Sequence, residues 1–327
     1  MSDLANALYR TPMGAAYYGD ALELLRCMDN ESIELVMTSP PFALQRQKEY
    51  GNKSQEEYVD WLTPFAAEVH RVLKETGSFV LDIGGAYQRG RPVRSLYNYR
   101  ILIRFCDELD FRLAEEFFWF NPATLPSPIE WVNKRKIRVK DAVNPVWWLS
   151  KTDWPKADVR KVLKPYSERM KKLIREKDDF YTPKERPSGH DISAKFSEDK
   201  GGAIPPNLLS IPNTSSNSQY LRLCRDVGVK PQPARFPVEL PSFFIKFLTD
   251  PGDTVLDIFA GSNTTGEAAE HLGRHWIAFE NNRTYLATSS FRFLDSPSIE
   301  TANDLFDDLL SSDERHIGSR RQPRLVQ

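Results

Sequence analysis

The segment Ser39-Pro40-Pro41-Phe42 carries residue types suited to binding an amine. Two prolines favour an extended backbone and remove two N–H donors, so the carbonyls of this segment can only accept hydrogen bonds. An exocyclic amine on a nucleobase is a poor nucleophile because its lone pair is delocalised into the ring. Ser39 Oγ and the Pro40 carbonyl, each accepting one amine proton, would free that lone pair. Phe42 offers a ring on which an extruded base could stack.

A second segment, residues 254–266, reads as a strand, a tight turn and the start of a helix. Gly261 lets the backbone approach a ligand closely, and the helix start offers free amide donors. Glu280 ends the next predicted strand, where a carboxylate would accept hydrogen bonds from ribose hydroxyls. Since the G-x-G-x-x-G pattern is absent, the segment favours an adenosine compound without a diphosphate, such as S-adenosylmethionine. An ordinary turn followed by a surface glutamate fits these residues equally well.

Alternating strands and helices position these two segments. The apolar patterns predict strands over 15–18, 33–37, 78–83, 114–120, 143–149, 254–259 and 275–280. They predict helices over 21–28, 55–75, 96–109, 239–248, from 265 onward and over 284–293. Gly77 is expected to end the helix over 55–75. The alternation predicts an α/β fold of the Rossmann-like type, with a mixed sheet covered by helices on both faces.

The middle of the chain departs from this alternation. Residues 151–233 are rich in Pro, Ser, Asn and Lys and have poor periodicity, which is more often functional than accidental in a compact protein. The predicted division is therefore 14–150 and 234–295 as two halves of one domain, with 151–233 as a smaller irregular lobe. The tail, 296–327, is expected to fray.

Charge and composition narrow the function classes. The net charge is −1, but residues 130–200 contain 19 Lys and Arg against 12 Asp and Glu. Such a stretch fits either a phosphate-binding surface or an ordinary solvated face. No apolar run reaches the ~18 residues that a membrane span needs, and the first residues have no signal pattern, so a cytoplasmic protein is expected. The three cysteines have no paired spacing, and no metal site is expected.

The two segments together resemble the amino-methylating DNA methyltransferases of restriction–modification systems, specifically the cytosine-N4 enzymes with Ser-Pro-Pro-Tyr or Ser-Pro-Pro-Phe. The likeness runs over residues 17–295, and Ser39 precedes Gly261 as in the permuted members of this family. The resemblance implies methyl transfer from S-adenosylmethionine to N4 of a flipped cytosine in double-stranded DNA. It also implies a cognate restriction endonuclease as a functional partner, and it suggests CAGCTG as the target site.

The resemblance further implies roles for individual residues. The expected cofactor contacts are Asp20, Phe236, Pro237, Asp257, Phe259, Gly261, Ser262, Asn263, Thr264 and Glu280. The expected catalytic residues are Ser39, Pro40, Pro41 and Phe42. The lobe at 151–233 corresponds to the target-recognition region. The expected DNA contacts are Lys134, Arg135, Lys136 and Arg138 on phosphates and Arg186, Ser188 and His190 near the bases. Each charged side chain among these also fits a solvated surface.

Three alternatives stay open. Adenine-N6 enzymes of the same superfamily carry Asp or Asn before Pro-Pro, so Ser39 favours cytosine without a strict rule. A protein or RNA methyltransferase is disfavoured because glutamine-methylating enzymes have Asn at this position. A DNA-binding regulator with an inactive methylase fold is disfavoured by the intact segments. Cytosine-C5 chemistry needs a cysteine that follows a proline, and none of the three cysteines does so.

Overall fold

The computed structural model describes residues 6–43, 54–55, 57–176, 198–214 and 218–311, together with a short strand at 315–316. The chain forms two compact units. The smaller unit is Asp158–Pro206, and the larger unit consists of the chain on either side of it. The predicted sheet and both candidate segments belong to the larger unit.

The larger unit is built on a mixed sheet. Its strands are β1 (Tyr9–Arg10), β2 (Gly14–Tyr18), β3 (Ile33–Thr38), β4 (Leu73–Asp82), β5 (Arg112–Phe120), β6 (Val143–Ser150), β7 (Leu208–Ser210), β8 (Thr254–Asp257), β9 (His275–Glu280) and β10 (Arg315–His316). Among the described residues their order is β10-β1-β2-β9-β8-β3-β4-β6-β5-β7. Neighbours from β2 to β4 are parallel, whereas β6 is antiparallel to both β4 and β5. The predicted mixed α/β sheet is confirmed.

Helices cover both faces of this sheet. In the larger unit they are α1 (Ala21–Arg26), α2 (Tyr58–Val72), α3 (Tyr97–Glu108), α5 (Gln219–Asp226), α6 (Glu239–Leu248), α7 (Thr264–His271), α8 (Arg283–Ser289) and α9 (Ile299–Ser311), whereas α4 (Glu168–Arg175) belongs to the smaller unit. One buried cluster joins α1, α2 and α3 to strand residues that include Trp147. Since side chains alternate along a strand, Trp148 faces the other layer. There its ring packs edge-on against Phe247 of α6, with 5.1 Å between the ring centroids.

The parallel strands end at one edge of the sheet, which is where open α/β sheets bind their ligands. The last residues of β2, β9, β8, β3 and β4 are Tyr18, Glu280, Asp257, Thr38 and Asp82. The loops that follow these residues therefore meet in space, although they are far apart in the sequence.

The prediction of a helix over 55–75 that ends at Gly77 was wrong at its C-terminal end. Helix α2 ends at Val72, and β4 begins at Leu73. Leu73 is completely buried and lies in the parallel pairing of β4 with β3. Leu-Lys-Glu is a good helix sequence, but tertiary pairing overrides this weak local preference. Gly77 consequently lies inside a strand.

The expected irregular lobe and tail contain more regular structure than their composition indicated. Region 151–233 includes α4, β7 and α5, and β7 pairs with β5 in the main sheet. The prediction that the chain frays after residue 295 was wrong for α9. In that helix Leu309 is completely buried, and the Phe306 ring lies 6.3 Å from that of Phe291. Apolar residues on one face of α9 therefore anchor it to the larger unit.

Over the described ranges the protein has neither a membrane-spanning helix nor a metal-binding cluster of side chains. No helix there is both long and apolar enough to cross a membrane. No three His, Cys, Asp or Glu side chains in the same ranges are grouped so that they could hold a metal ion. The three cysteines are free thiols, and Cys224 is buried.

Candidate active site

The Ser39-Pro40-Pro41-Phe42 segment directly follows β3 at the carboxyl edge of the sheet. All four residues line a cavity of about 500 Å³. Ser39 Oγ donates a hydrogen bond to Asp82 Oδ2 at 3.0 Å. Because this bond directs the hydroxyl proton towards the carboxylate, the Oγ lone pairs are left to accept from a ligand.

Asp82 is a site residue that the sequence analysis missed. It is the last residue of β4 and only 2% exposed, and its Oδ1 accepts a hydrogen bond from Asn144 Nδ2 at 3.4 Å. Burial raises the pKa of Asp82 to about 7, although the hydrogen bonds from Ser39 and Asn144 act to lower it. A usable signal was present, since a polar residue that ends the strand beside β3 falls at the ligand-binding edge.

A glycine turn after β4 makes room for the Phe42 ring. A Cβ on Gly84 would lie 2.4 Å from Phe42 Cε2, so any larger residue would displace the ring. The Tyr97 hydroxyl on α3 donates a hydrogen bond to the Gly84 carbonyl and holds this turn. The ring of Phe42 therefore has a defined place in the cavity wall.

Asp257 joins the two segments without lining the cavity. This buried carboxylate accepts hydrogen bonds from Thr38 Oγ1 at 2.7 Å and from Thr265 Oγ1 at 2.6 Å. It also accepts from the Phe259 amide at 3.1 Å. Burial raises the pKa of Asp257, and the bonds from the two threonines oppose that rise. Asp257 thus ties the end of β3 to α7. It stabilises the segments that line the cavity without lining the cavity itself.

The turn after β8 has the conformation that its glycine indicated. Gly261 has a φ of +52°, in the left-handed region that favours glycine, and its amide donates to Glu280 Oε2 at 2.8 Å. Asn263 is also left-handed, and its side chain caps α7 by accepting from the Gly266 amide at 3.0 Å. Asn263 is fully buried as this cap. The predicted loop residues that do line the cavity are Phe259, Gly261, Ser262 and Thr264.

Glu280 ends β9 and lines the same cavity. Its two carboxylate oxygens accept from the backbone amides of Gly261 and Asn282, each at 2.8 Å. Burial raises the pKa of Glu280 to about 7, while these amide bonds act to lower it. The carboxylate is held in one orientation and keeps lone pairs for the hydroxyl groups of a ligand.

Two of the three remaining predicted cofactor contacts reach the cavity. Asp20 lines it, and its Oδ1 also caps α1 by accepting from the amides of Leu22 and Glu23 at 2.9 and 3.2 Å. Phe236 lines it as well. Pro237 instead lines a neighbouring cavity of about 830 Å³.

Gln232 is a further cavity residue that the sequence did not indicate. Its amide group packs over Gly261, where a Cβ would lie 3.1 Å from Gln232 Cδ. Its Oε1 is buried, and the described residues offer it no hydrogen-bond partner. Arg235 lines the same cavity, and burial lowers the pKa of its guanidinium. A buried acceptor without a partner lowers the stability of the protein. The part of the cavity around Gln232 Oε1 therefore suits a ligand with a hydrogen-bond donor.

The four basic residues expected to hold phosphates lie on residues 121–142, the connection from β5 to β6, which we call the basic arm. They are all exposed: Lys134, Arg135, Lys136 and Arg138. Glu130 forms ion pairs with the first two, at 3.3 and 3.0 Å. None of the four lines the cavity. Outside the described residues lie the three expected base contacts, Arg186, Ser188 and His190.

Comparison with known proteins confirms the expected resemblance. A family model described as DNA methylase matches residues 33–291. The type II methyltransferase M.PvuII of Proteus hauseri is 61% identical over 312 residues, which cover 95% of this chain and 93% of that protein. A solved structure described as PvuII DNA methyltransferase, cytosine-N4-specific, matches with a TM-score of 0.79 and 52% identity. It covers 95% of this chain and 97% of its own.

The name of another relative states a different base specificity. The DNA adenine methyltransferase YhdJ of Escherichia coli strain K12 is 27% identical over 295 residues, which cover 88% of this chain and 85% of that protein. The family match at 33–291 spans both candidate segments, from Ser39 to Glu280. The residues that line the cavity and the sequence match along most of the chain point to the same family. The chain therefore belongs to the N6/N4 family of DNA methylases.

Proposed function

We propose that this methylase transfers a methyl group from S-adenosylmethionine to the N4 amine of cytosine in duplex DNA, as the modification enzyme of a type II restriction–modification system. The observation that carries the proposal is the hydrogen bond from Ser39 to Asp82 in a cavity that Glu280 also lines. An amine-binding segment and an adenosine-type site thus share one cavity. The similarity to a cytosine-N4-specific enzyme supports the choice of amine.

The cavity wall suits S-adenosylmethionine. Glu280 would accept hydrogen bonds from the ribose hydroxyls, and the buried Gln232 Oε1 would accept from the amino-acid end. The rings of Trp61 and Phe65 pack against Phe259, at 5.7 and 5.2 Å between centroids, and form an apolar wall for the adenine. When bound, this cofactor supplies a methyl group on a sulfonium, which is already activated for displacement.

Ser39 and Pro40 activate the amine. Ser39 Oγ and the Pro40 carbonyl would each accept one N4 proton, which draws the nitrogen towards tetrahedral geometry and frees its lone pair. Since the Ser39 hydroxyl donates to Asp82, its oxygen faces the amine only as an acceptor. Holding the amine in line with the methyl group then supplies much of the rate acceleration.

Asp82 provides a destination for the departing proton. Once methylated, N4 carries a positive charge and must lose one proton. Ser39 Oγ would take that proton as its own hydroxyl proton passes to Asp82 Oδ2, which leaves neutral N4-methylcytosine. The pKa of Asp82, raised to about 7, makes the carboxylate a suitable acceptor near neutral pH.

Binding of duplex DNA requires a protein surface that contacts the phosphates and a pocket that accepts the extruded base. Phe42 would stack on the flipped cytosine. The phosphate contacts would come from Lys134, Arg135, Lys136 and Arg138, and the base contacts from Arg186, Ser188 and His190. The resemblance suggests CAGCTG as the site, and a restriction endonuclease for that site would be the functional partner whose cleavage the methyl group blocks.

The test is nucleoside analysis of duplex DNA after incubation with the purified protein and tritiated S-adenosylmethionine. We expect tritium in N4-methylcytosine, and much less of it with Ser39→Ala. Recovery of N6-methyladenine would favour the adenine alternative. Labelling that survives DNase treatment of the substrate would favour an RNA or protein substrate. Sequencing of modified bases in DNA from expressing cells tests the site CAGCTG.

A further inference from the structure

The basic arm, residues 121–142, carries exposed apolar side chains that the proposed reaction leaves unused. Val139 is 86% exposed, Leu125 80% and Ile129 62%. Single exposed apolar residues are common on protein surfaces and need no explanation. Here these three and the less exposed Ile137 share one connection with the four cations expected to hold phosphates, so the arm combines charge with exposed apolar area.

Hydrogen bonds hold the two most exposed of these residues in neighbouring parts of the arm. Lys140 Nζ donates to the carbonyls of Pro122 and Thr124, both at 3.2 Å. Leu125 directly follows Thr124, and Val139 directly precedes Lys140. The bonded segments therefore place Leu125 and Val139 on the same part of the arm.

The basic arm lies at the same edge of the sheet as the segments that line the active-site cavity. Strand β6 is antiparallel to both β4 and β5, so the connection from β5 to β6 shares an edge with the end of β4. Arg94 pairs with Asp141 of the arm and packs against Gly85. Gly84, the preceding residue, contacts the Phe42 ring. A continuous line of contacts thus runs from the catalytic segment to the arm.

We propose that the basic arm is the element that extrudes the target base, with Leu125 and Val139 entering the duplex and filling the space that the cytosine leaves. Proteins that open a base stack often insert apolar wedges, which replace part of the lost stacking. The surrounding cations complement the phosphates on either side of such an opening and identify the occupant as duplex DNA. The inference rests on the function proposed above, because only an enzyme that acts on a paired base needs to extrude it.

The experiment compares two duplexes in single-turnover methylation by the full-length protein. In one duplex the target cytosine is paired with guanine, and in the other it lies opposite an abasic site, where extrusion costs less. The Leu125→Ala/Val139→Ala variant is expected to be about tenfold slower than wild type on the paired target, since several buried methyl and methylene groups are lost. On the unpaired target it is expected to match wild type.

Ile103→Ala is the matched control, because Ile103 is an exposed apolar residue on α3, outside the arm, at 57% exposure. It should leave both rates unchanged. Equal losses of the double variant on both duplexes would overturn the proposal in favour of a structural role for the arm, and an unchanged rate on the paired target would overturn it outright. Failure of the proposed function is distinguishable, since wild type would then methylate neither duplex.

Discussion

Two buried carboxylates, Asp82 and Glu280, accept hydrogen bonds from different residues that line the active-site cavity. Asp82 accepts from the Ser39 hydroxyl, and Glu280 accepts from the Gly261 amide. Burial raises the pKa of each carboxyl to about 7. Between the ordinary carboxyl pKa of about 4 and this raised value, the folded protein binds protons that the unfolded chain has lost, so stability falls as the pH rises through that window. The proposed mechanism needs Asp82 in its ionised form, so activity is expected to rise with pH as Asp82 ionises.

We expect kcat at saturating cofactor to rise with pH and to level off above the Asp82 pKa of about 7, because only the ionised carboxylate can receive the proton. Asp82→Asn should lower kcat by about 10²-fold or more and abolish the rise. The measurement is single-turnover methylation across neutral pH. Glu280→Gln serves as the comparison, because it should alter the pH dependence of cofactor affinity and keep that of kcat. A kcat profile that survives Asp82→Asn would exclude Asp82 as the proton acceptor.

Ser39 and Asp82 are expected to act as one unit. Ser39→Ala alone should reduce kcat by about 10²-fold while cofactor affinity, measured by calorimetry, stays unchanged. The Ser39→Ala/Asp82→Asn double variant should lose little more than either single variant, because each change already interrupts the same proton path. Losses that multiply would instead indicate independent contributions.

Gln232 tests where the amino-acid end of the cofactor lies. Gln232→Leu removes the buried acceptor that lacks a partner among the described residues. It should weaken binding of S-adenosylhomocysteine by about tenfold, the effect of one lost hydrogen bond. Binding of 5′-methylthioadenosine, which has no amino-acid end, should be unaffected in the same calorimetric titrations. Equal weakening of both ligands would show that Gln232 only shapes the cavity.

At the scale of elements, the sequence pattern predicted the bounds of those helices and strands that depend mainly on residues close together in the chain. Helix α6 and strand β9 have the predicted bounds, 239–248 and 275–280. The boundary between α2 and β4 was missed because it depends on the pairing of Leu73 with β3, which no local pattern records. Asp82 was missed although it lies at the end of a predicted strand, because its bond to Ser39 appears only when β4 is placed beside β3. Asp257 was predicted to contact the cofactor, but it accepts hydrogen bonds from Thr38, 219 positions earlier in the chain, and from Thr265.

The bond from Thr38 to Asp257 is expected to stabilise the junction of β3 and β8. Thr38→Val keeps the side-chain shape but leaves Asp257 Oδ1, an oxygen of a buried carboxylate, with the Phe259 amide as its remaining donor. It should lower the free energy of unfolding by about 1–3 kcal/mol, as measured by urea denaturation. Thr63→Val, which removes only a bond to the Val59 carbonyl within α2, should cost less. Similar losses for both variants would contradict a special role for the junction.

At the scale of the whole molecule, the distribution of charge matters more than its sum. The chain has 44 Lys and Arg against 45 Asp and Glu, yet four of the five cations on the basic arm lie together within residues 134–138. A protein of this overall charge can hold DNA only through such local concentrations. The net charge is therefore a poor guide to a polyanionic substrate, and the arm is the surface where we expect the phosphates to bind.

DNA affinity should consequently depend strongly on salt. Four phosphate contacts would contribute about −3.6 to the slope of log K against log salt, and each change to Ala among Lys134, Arg135, Lys136 and Arg138 should reduce its magnitude by about 0.9. Fluorescence anisotropy at several salt concentrations measures this slope. Lys246→Ala, an exposed change on α6, is the control that should leave it intact. If the arm variants have the same slope as wild type, the phosphate contacts lie elsewhere.

The position of β8 between β3 and β9 has a consequence for when the enzyme becomes active in a cell. The ribosome makes Ser39 early, but the strand that completes its surroundings begins only at Thr254. Pairings between such distant parts of a chain form late in folding. A nascent or prematurely terminated chain would thus hold the amine-binding segment without a cofactor pocket. In a restriction–modification system, protection of the host genome would begin only once nearly complete methylase molecules have been released.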